Sequence, residues 1–286
     1  MEDDMIQVES LFFRYGKKED LFEDLSCSLT SGNIYGLLGK NGAGKTTLLK
    51  LLAGTLYPLS GAIDILGYNP RNRKPGMLRE IFFITEEFVL PPIKGGEYVS
   101  LNAPFYPRFN KEIFREYLDE FDLKENDLLT SLSYGQKKKF LLAFGLATNS
   151  KIFFLDEPTN GLDIPSKSQF RKLIAASITE ERTFIISTHQ VRDMENLIDP
   201  IIILDSGKII FQETMGEVMN KLSLIQYAEE PSWEGVVHWE KAMGRYITLE
   251  ENSTGQESQI DLELLFSTVV KNREKISKIF HKEVVQ

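Results

Sequence analysis

Apolar and polar positions alternate through the opening third of the chain, and the alternation predicts strands over residues 6–14, 25–30 and 33–38. The third strand runs straight into GKNGAGKTT, after which residues 46–53 carry leucines at helical spacing. Residues 61–66, fenced by Pro58 and Gly67, predict another strand, and residues 81–85 (IFFIT) a short buried one. Pro91, Pro92, Gly95 and Gly96 break the chain there. From 97 to 121 the pattern is helical, interrupted at Pro104 and Pro107, and residues 111–121 predict a helix that buries Ile113, Tyr117, Leu118 and Phe121. Ser131 to Ser133 precede a further helix over 136–147.

Three short apolar runs follow, at 152–155, 184–187 and 201–204, each bounded by polar residues and separated by helical stretches. Such runs predict parallel strands buried on both faces, hence an α/β fold. Residues 209–211 return as a hairpin turned at Gly207. Beyond about Lys221 the character changes: 235–240 and 246–250 alternate as a hairpin pair, 251–259 form a polar loop, and 261–280 predict one amphipathic helix. The chain thus divides into residues 1–220 and an appended module, 221–286, with no internal repeats.

Composition narrows the classes. Hydrophobic residues make up 42% and charged residues 26%, which excludes disordered and low-complexity chains. A net charge of −9 argues against a surface that wraps nucleic-acid backbone. The single cysteine, Cys27, has no partner for an intramolecular disulfide or a cysteine zinc cluster, and its place among alternating residues predicts a small buried hydrophobe. The acidic start MEDDMIQVES lacks the apolar core of a secretory signal, and no apolar run approaches the ~20 residues of a membrane helix. A membrane role is therefore expected to act through a partner.

The candidate chemistry is concentrated at strand ends. Residues 39–46 match G-x-x-x-x-G-K-[ST] at Gly39, Gly44, Lys45 and Thr46, with a further glycine at Gly42. Glycines let the backbone curl so that several N–H groups face phosphate oxygens, and the following helix presents its positive end to them. Lys45 can reach the β- and γ-phosphates, and the Thr46 hydroxyl can bind Mg²⁺. In IFFLDEP, residues 152–158, a buried strand delivers Asp156 and Glu157 to the edge where open α/β sheets hold ligands. Asp156 is placed to hold Mg²⁺ through water, and Glu157 to take the proton of an attacking water. In LSYGQKKKF, Ser133 is a good N-cap and Gly135 removes bulk, so the segment is a second helix start suited to an anion; Lys137 to Lys139 read as a solvated helix face. His189 ends a strand at the same edge as Asp156, within reach of a γ-phosphate, whereas His238 and His281 have no ligating companions nearby in sequence.

In this order, over about residues 5–220, these segments resemble the ATPase subunit of the ATP-binding cassette (ABC) family. GKNGAGKT is similar to its Walker A loop, LSYGQ to its signature, IFFLDEP to its Walker B strand, and NGLD, ending at Asp163, to its D-loop. His189 resembles the switch histidine, and Tyr15 the aromatic residue that stacks on adenine; taken alone, Tyr15 reads as a strand aromatic. The resemblance implies a RecA-like P-loop NTPase core with a β-subdomain, a helical lobe at about 88–150, and here a small C-terminal α+β module. It implies ATP and Mg²⁺ as ligands. Nucleotide contacts would come from Tyr15, Gly39, Lys40, Asn41, Gly42, Ala43, Gly44, Lys45, Thr46, Thr47, Glu86, Ser133, Gly135, Gln136 and Asp163. Thr46, Asp156 and Glu86 would serve the metal, and Glu157, His189 and Lys45 catalysis.

The family pairs two such chains, identical or related, head to tail, closing ATP between the Walker A loop of one and Ser133 to Gln136 of the other. Hydrolysis would then drive integral membrane subunits on separate chains, with the ATPase on the cytoplasmic face and no nucleic-acid partner. DLELLF at 261–266 and NAPFYPRFN at 102–110 resemble segments of bacterial exporter ATPases, so export is the expected direction. A soluble cassette ATPase serving an assembly process, such as iron–sulfur cluster biogenesis, is the alternative. A ribosome- or nucleic-acid-acting cassette would carry two cassettes or a long coiled coil, and a non-hydrolysing sensor is at odds with Lys45 together with Glu157. Two positions depart from the family pattern: Glu86 stands where Gln is usual, adding charge near the γ-phosphate, and Tyr134 where the signature often has Gly.

Overall fold

The computed structural model describes residues 4–253 and 258–280. The first elements are β1 (Ile6–Phe13), β2 (Phe22–Leu29), β3 (Ile34–Leu38), α1 (Lys45–Leu52), β4 (Ser60–Ile65), α2 (Pro75–Leu78) and β5 (Ile81–Ile84). The middle of the chain forms α3 (Gly95–Asn102), α4 (Lys111–Glu120), α5 (Tyr134–Ala147), β6 (Ile152–Asp156), α6 (Ile164–Ser177) and β7 (Thr183–Thr188). Then come β8 (Ile201–Asp205), β9 (Lys208–Glu213), α7 (Met215–Lys221), β10 (Leu222–Tyr227), β11 (Val236–Ala242), β12 (Arg245–Glu251), α8 (Leu262–Lys271) and α9 (Arg273–Phe280).

The apolar runs without polar breaks become the centre of a six-stranded sheet ordered β5-β6-β7-β3-β8-β9, parallel except for the hairpin strand β9. Because strand side chains alternate, this sheet feeds two cores. Phe153, Leu155, Phe184 and Ile186 face the helices α5 and α6, while Ile152, Phe154 and Ile185 face α1 and the antiparallel sheet β2-β1-β4. All seven are buried, and Phe153 stacks on Phe184 at 4.8 Å. Each such phenylalanine contributes about 1.5–3 kcal/mol by burial, so the strand ends carrying Asp156 and Thr188 are held rigidly. Strand β2 starts at Phe22, earlier than its alternation indicates, because Phe22 is fully buried under the phosphate loop. Cys27 lies half-buried in β2 opposite Val8, and burial of its sulfur pushes the thiol up to about 12, in keeping with a packing residue.

Helix α4 buries Leu118 and, just beyond its end, Phe121 as its spacing predicts, but its inner face is centred further toward Phe114. Phe114 and Leu118, with Phe121 just beyond, are buried, while Ile113 and Tyr117 are only partly covered. Phe114 meets Phe140 and Phe144 of α5 edge-on at 5.9 and 6.3 Å, and those two rings rotate α4 toward its i, i+4, i+7 row. Helix α5 has apolar residues around its whole circumference and is buried accordingly.

The C-terminal segment differs from expectation in two ways. Its sheet has three strands, β10-β12-β11, because β10 continues from α7 without a turn residue to announce it. The final helix is two helices: Asn272 (φ −123°, ψ 40°) ends α8, and its side-chain amide donates to His238 Nδ1 at 3.3 Å. Asp261 caps α8 through the Leu264 N–H at 2.9 Å. Phe280 of α9 packs edge-on against Phe211 of β9 at 5.0 Å, and the C-terminal elements share the core that covers the main sheet. Part of the expected polar loop, residues 254–257, and His281 lie outside the described residues, and Glu251 belongs to β12.

Candidate active site

Strand β3 ends at Leu38, and the chain turns through residues 39–44 before α1 begins at Lys45. Gly44 has φ +109°, and a Cβ there would sit 2.7 Å from the Phe22 ring; a Cβ on Gly39 would sit 2.5 Å from the Leu204 carbonyl oxygen. Only glycine fits at either place. Lys45 is buried and folds back over the turn, donating to the Gly39 carbonyl at 2.7 Å and the Lys40 carbonyl at 3.3 Å. Its ammonium also lies 3.7 Å from Glu157 Oε1. Burial pulls the Lys45 ammonium below its ordinary range, against the opposing pull of Glu157 and Asp156.

Behind the loop, the Thr46 hydroxyl donates to Asp156 Oδ2 at 2.8 Å, and the Ser187 hydroxyl donates to Asp156 Oδ1. Beside it, Glu157 turns into a left-handed backbone conformation with φ 45°. The His189 Nδ1–H donates to Glu157 Oε1 at 2.7 Å. Among the described residues Glu157 Oε2 is buried without a hydrogen-bond partner. With Oε1 facing the Lys45 ammonium and the His189 imidazole, Oε2 is the oxygen left to accept a hydrogen bond from a water.

The cleft over these groups measures about 1020 Å³. Tyr15, Lys40, Asn41, Gly42, Gly44, Lys45, Thr46, Thr47, Glu86, Glu157 and His189 all line it. The Tyr15 hydroxyl is 3.0 Å from Thr47 Oγ1, which stands the exposed ring at the cleft wall. Lys17, Lys18, Glu19 and Asp20 also line the cleft; no motif singles them out, and their only signal in the chain is a run of four charges just after Tyr15. Gly39, Ala43 and Asp156 are not on the wall but support it from behind.

The structure does not bring the second helix start into this cleft. Ser133 accepts from the Gln136 N–H at 3.2 Å, and Gln136 Oε1 accepts from the Ser133 N–H at 2.9 Å, a reciprocal cap. Gly135 abuts the Gly161 carbonyl, where a Cβ would approach to 3.3 Å. Asp163 caps α6 through the Ser166 N–H at 2.9 Å, and its hydrogen bonds with Ser166 hold the carboxyl below the usual range.

One sequence expectation is overturned. Lys138 is no solvated residue: it is 4% exposed and donates to the carbonyls of Glu157 at 2.7 Å and Asn160 at 2.9 Å. Burial brings its ammonium down to about 8, against the opposing carboxylates of Glu86, Glu157 and Asp156. A run of three lysines gives no hint of which one turns inward; that depends on where α5 crosses the end of β6. Tyr134 stacks on Phe88 at 5.4 Å and donates its hydroxyl to the Glu86 carbonyl, while Glu86 Oε1 accepts from Asn160 Nδ2 at 3.0 Å. The two positions that depart from the family pattern are thus in contact with each other.

The oxygen donors fit a hard divalent cation that arrives with a polyphosphate. Thr46, Asp156 and Glu86 line one small pocket, and among the described residues no group of three or more His, Cys, Asp or Glu forms a cage of its own.

Comparison with known proteins agrees with this geometry. The family described as ABC transporter matches residues 22–160. The bacitracin transport ATP-binding protein BcrA of Bacillus licheniformis is 34% identical over 211 residues, covering 72% of this chain and 68% of that protein. The SkfA peptide export ATP-binding protein SkfE of Bacillus subtilis is 32% identical, covering 80% and 93%. A solved structure of the ATP-binding subunit of an ABC transporter superposes with a TM-score of 0.68 at 25% identity, covering 75% of this chain and 91% of that one. With a glycine-rich phosphate-loop motif, Glu157 and His189 on one cleft and these relatives alongside, the chain belongs to the ATP-binding, ATP-hydrolysing subunits of the ABC transporter family.

Proposed function

We propose that this chain powers export through a separate membrane-spanning partner, by binding ATP between two ATPase chains and hydrolysing it. The observation that carries hydrolysis is the Glu157 carboxylate, with one oxygen held by His189 and the other buried and unpartnered at the cleft. In this reading Lys45 and the loop N–H groups from Lys40 to Thr47 grip the triphosphate. Tyr15 stands at the adenine end, where Lys17 and Lys18 line the wall together with Glu19 and Asp20. Glu157 takes the proton of the attacking water, and His189 keeps the carboxylate oriented. Thr46, Asp156 and Glu86 would hold Mg²⁺, which neutralises charge on the phosphate oxygens when bound. Ser133, Gly135, Gln136 and Asp163 would complete the site of a second copy, which accounts for a second helix start outside this chain's own cleft.

We divide the chain functionally at about residue 220, with 221–286 as an accessory module. Among the described residues no helix is long and apolar enough to cross a membrane. In the proposed assembly the spanning part is on another chain, with this one at the inner membrane face. Leu101 and Phe105, one turn apart and 59% and 71% exposed, offer that partner an apolar foothold on the helical lobe. The names of the relatives that transport bacitracin and export a peptide favour export.

Affinity capture of the tagged chain from detergent-solubilised membranes should bring down a polytopic membrane protein in stoichiometric yield. Recovery only from the soluble fraction, with assembly-factor partners, would favour an assembly ATPase instead. Glu86→Gln should raise the Mg²⁺ concentration for half-maximal ATPase activity about 3- to 10-fold and increase the maximal rate, because a neutral amide weakens the metal and relieves repulsion of the γ-phosphate. An unchanged Mg²⁺ titration would remove Glu86 from the metal site.

A further inference from the structure

Residues with a Cβ take the left-handed conformation of Glu157 only where their surroundings hold them in it. Here the holding groups are identifiable. The Glu157 N–H donates to the Ser187 carbonyl at 3.0 Å and to the Ser187 hydroxyl at 3.2 Å, which anchors one side to β7. On the other side the Glu157 carbonyl accepts from the Asn160 N–H at 3.2 Å and from Lys138 Nζ at 2.7 Å. Lys138 also donates to the Asn160 carbonyl at 2.9 Å, and the Asn160 side chain continues to Glu86 Oε1 at 3.0 Å and Gln190 Nε2 at 3.1 Å. Gln190 is the neighbour of His189.

An ammonium placed here is costly. Among the described residues no carboxylate lies within ion-pair distance of Lys138; its ammonium lies 5.2 Å from the centre of the Tyr134 ring, and its other surroundings include apolar side chains such as Ile84, Leu142, Leu162 and Phe170. An apolar side chain would fill the same volume without the desolvation penalty, so what Lys138 adds is donation to two carbonyls of the catalytic turn. We propose that Lys138 is a positioning residue for hydrolysis, clamping the turn from Glu157 to Asn160 to helix α5 so that the Glu157 carboxylate stays aimed at the cleft. This rests on the reading of Glu157 as the base. Lys138 lies little more than one helical turn beyond Ser133, so a displacement of the N-terminal end of α5 is transmitted to Glu157 of the same chain. Docking of a second copy's nucleotide on Ser133 and Gly135 would thereby be sensed at this chain's own base.

The test is steady-state ATPase kinetics on the full chain. Lys138→Met, which keeps the volume and loses the donors, should lower kcat about 30-fold and leave KM for ATP within about two-fold, with ATP affinity by calorimetry and thermal unfolding close to the parent. Lys138→Gln retains N–H donors on a shorter arm and should lose only about three- to five-fold in kcat. Parental kcat in Lys138→Met overturns the proposal, as does a loss that tracks raised KM. If Lys138→Met does not fold, Lys138→Gln decides: lowered kcat at unchanged KM supports the clamp, and parental kcat refutes it. Turnover in Glu157→Gln would instead sink the underlying assignment of the base, whatever Lys138 does.

Discussion

Glu157→Gln is expected to bind ATP with near-parental affinity while its hydrolysis rate falls about 10³-fold, the scale of a lost general base. The amide keeps an oxygen for the His189 Nδ1–H, which donates to Oε1 at 2.7 Å, so the local geometry survives. What disappears is the basic lone pair at the buried Oε2. Removing a negative charge 3.7 Å from the Lys45 ammonium also leaves that cation freer to engage phosphate. The variant should therefore accumulate an ATP-dependent dimer on size-exclusion chromatography, because closure by two chains around ATP no longer ends in cleavage. Full turnover in this variant would take Glu157 out of its assigned role.

Lys45→Ala is expected to fail one step earlier, at binding. The ammonium folds back over the turn, and its two hydrogen bonds to the Gly39 and Lys40 carbonyls hold the loop curled. Truncation removes the cation that faces the phosphates and the donor that shapes their cradle, and it leaves Glu157 without its cationic neighbour. Losing a buried charge-assisted contact costs about 2–5 kcal/mol, so ATP affinity by calorimetry should drop about 30- to 5,000-fold. The contrast between the two variants separates grip from cleavage. Affinity within about three-fold of the parent would show that the loop N–H groups alone hold the nucleotide.

Much of this site is legible in the chain because its parts are local. A phosphate loop needs a strand, six turning residues and a helix start, all contiguous, and glycine is required at Gly39 and Gly44 by contacts with Leu204 and Phe22. Asp156 and Glu157 follow an uninterrupted apolar strand, and IFFLD can only be buried in a sheet covered on both faces. The same holds for the order of the central strands' apolar runs. Less local features were lost. Spacing placed Ile113 and Tyr117 toward the core, whereas Phe140 and Phe144 draw Phe114 inward. Asn272, where α8 ends, contacts His238 thirty-four positions away, a pairing that spacing along the chain does not announce.

Residue type and spacing by themselves therefore determined the chemistry of this protein: a curled loop with a cation, a strand ending in two carboxylates, and a histidine at the same edge. Such motifs are short, and their backbone requirements are satisfied by their immediate neighbours. Tertiary structure alone decided which groups support them. Lys138 is chemically the same as Lys137 and Lys139, and only the crossing of α5 over the end of β6 turns its ammonium into the carbonyls of Glu157 and Asn160. A long flexible side chain takes its role from the partner it reaches, and that partner is set by packing between elements far apart in the chain.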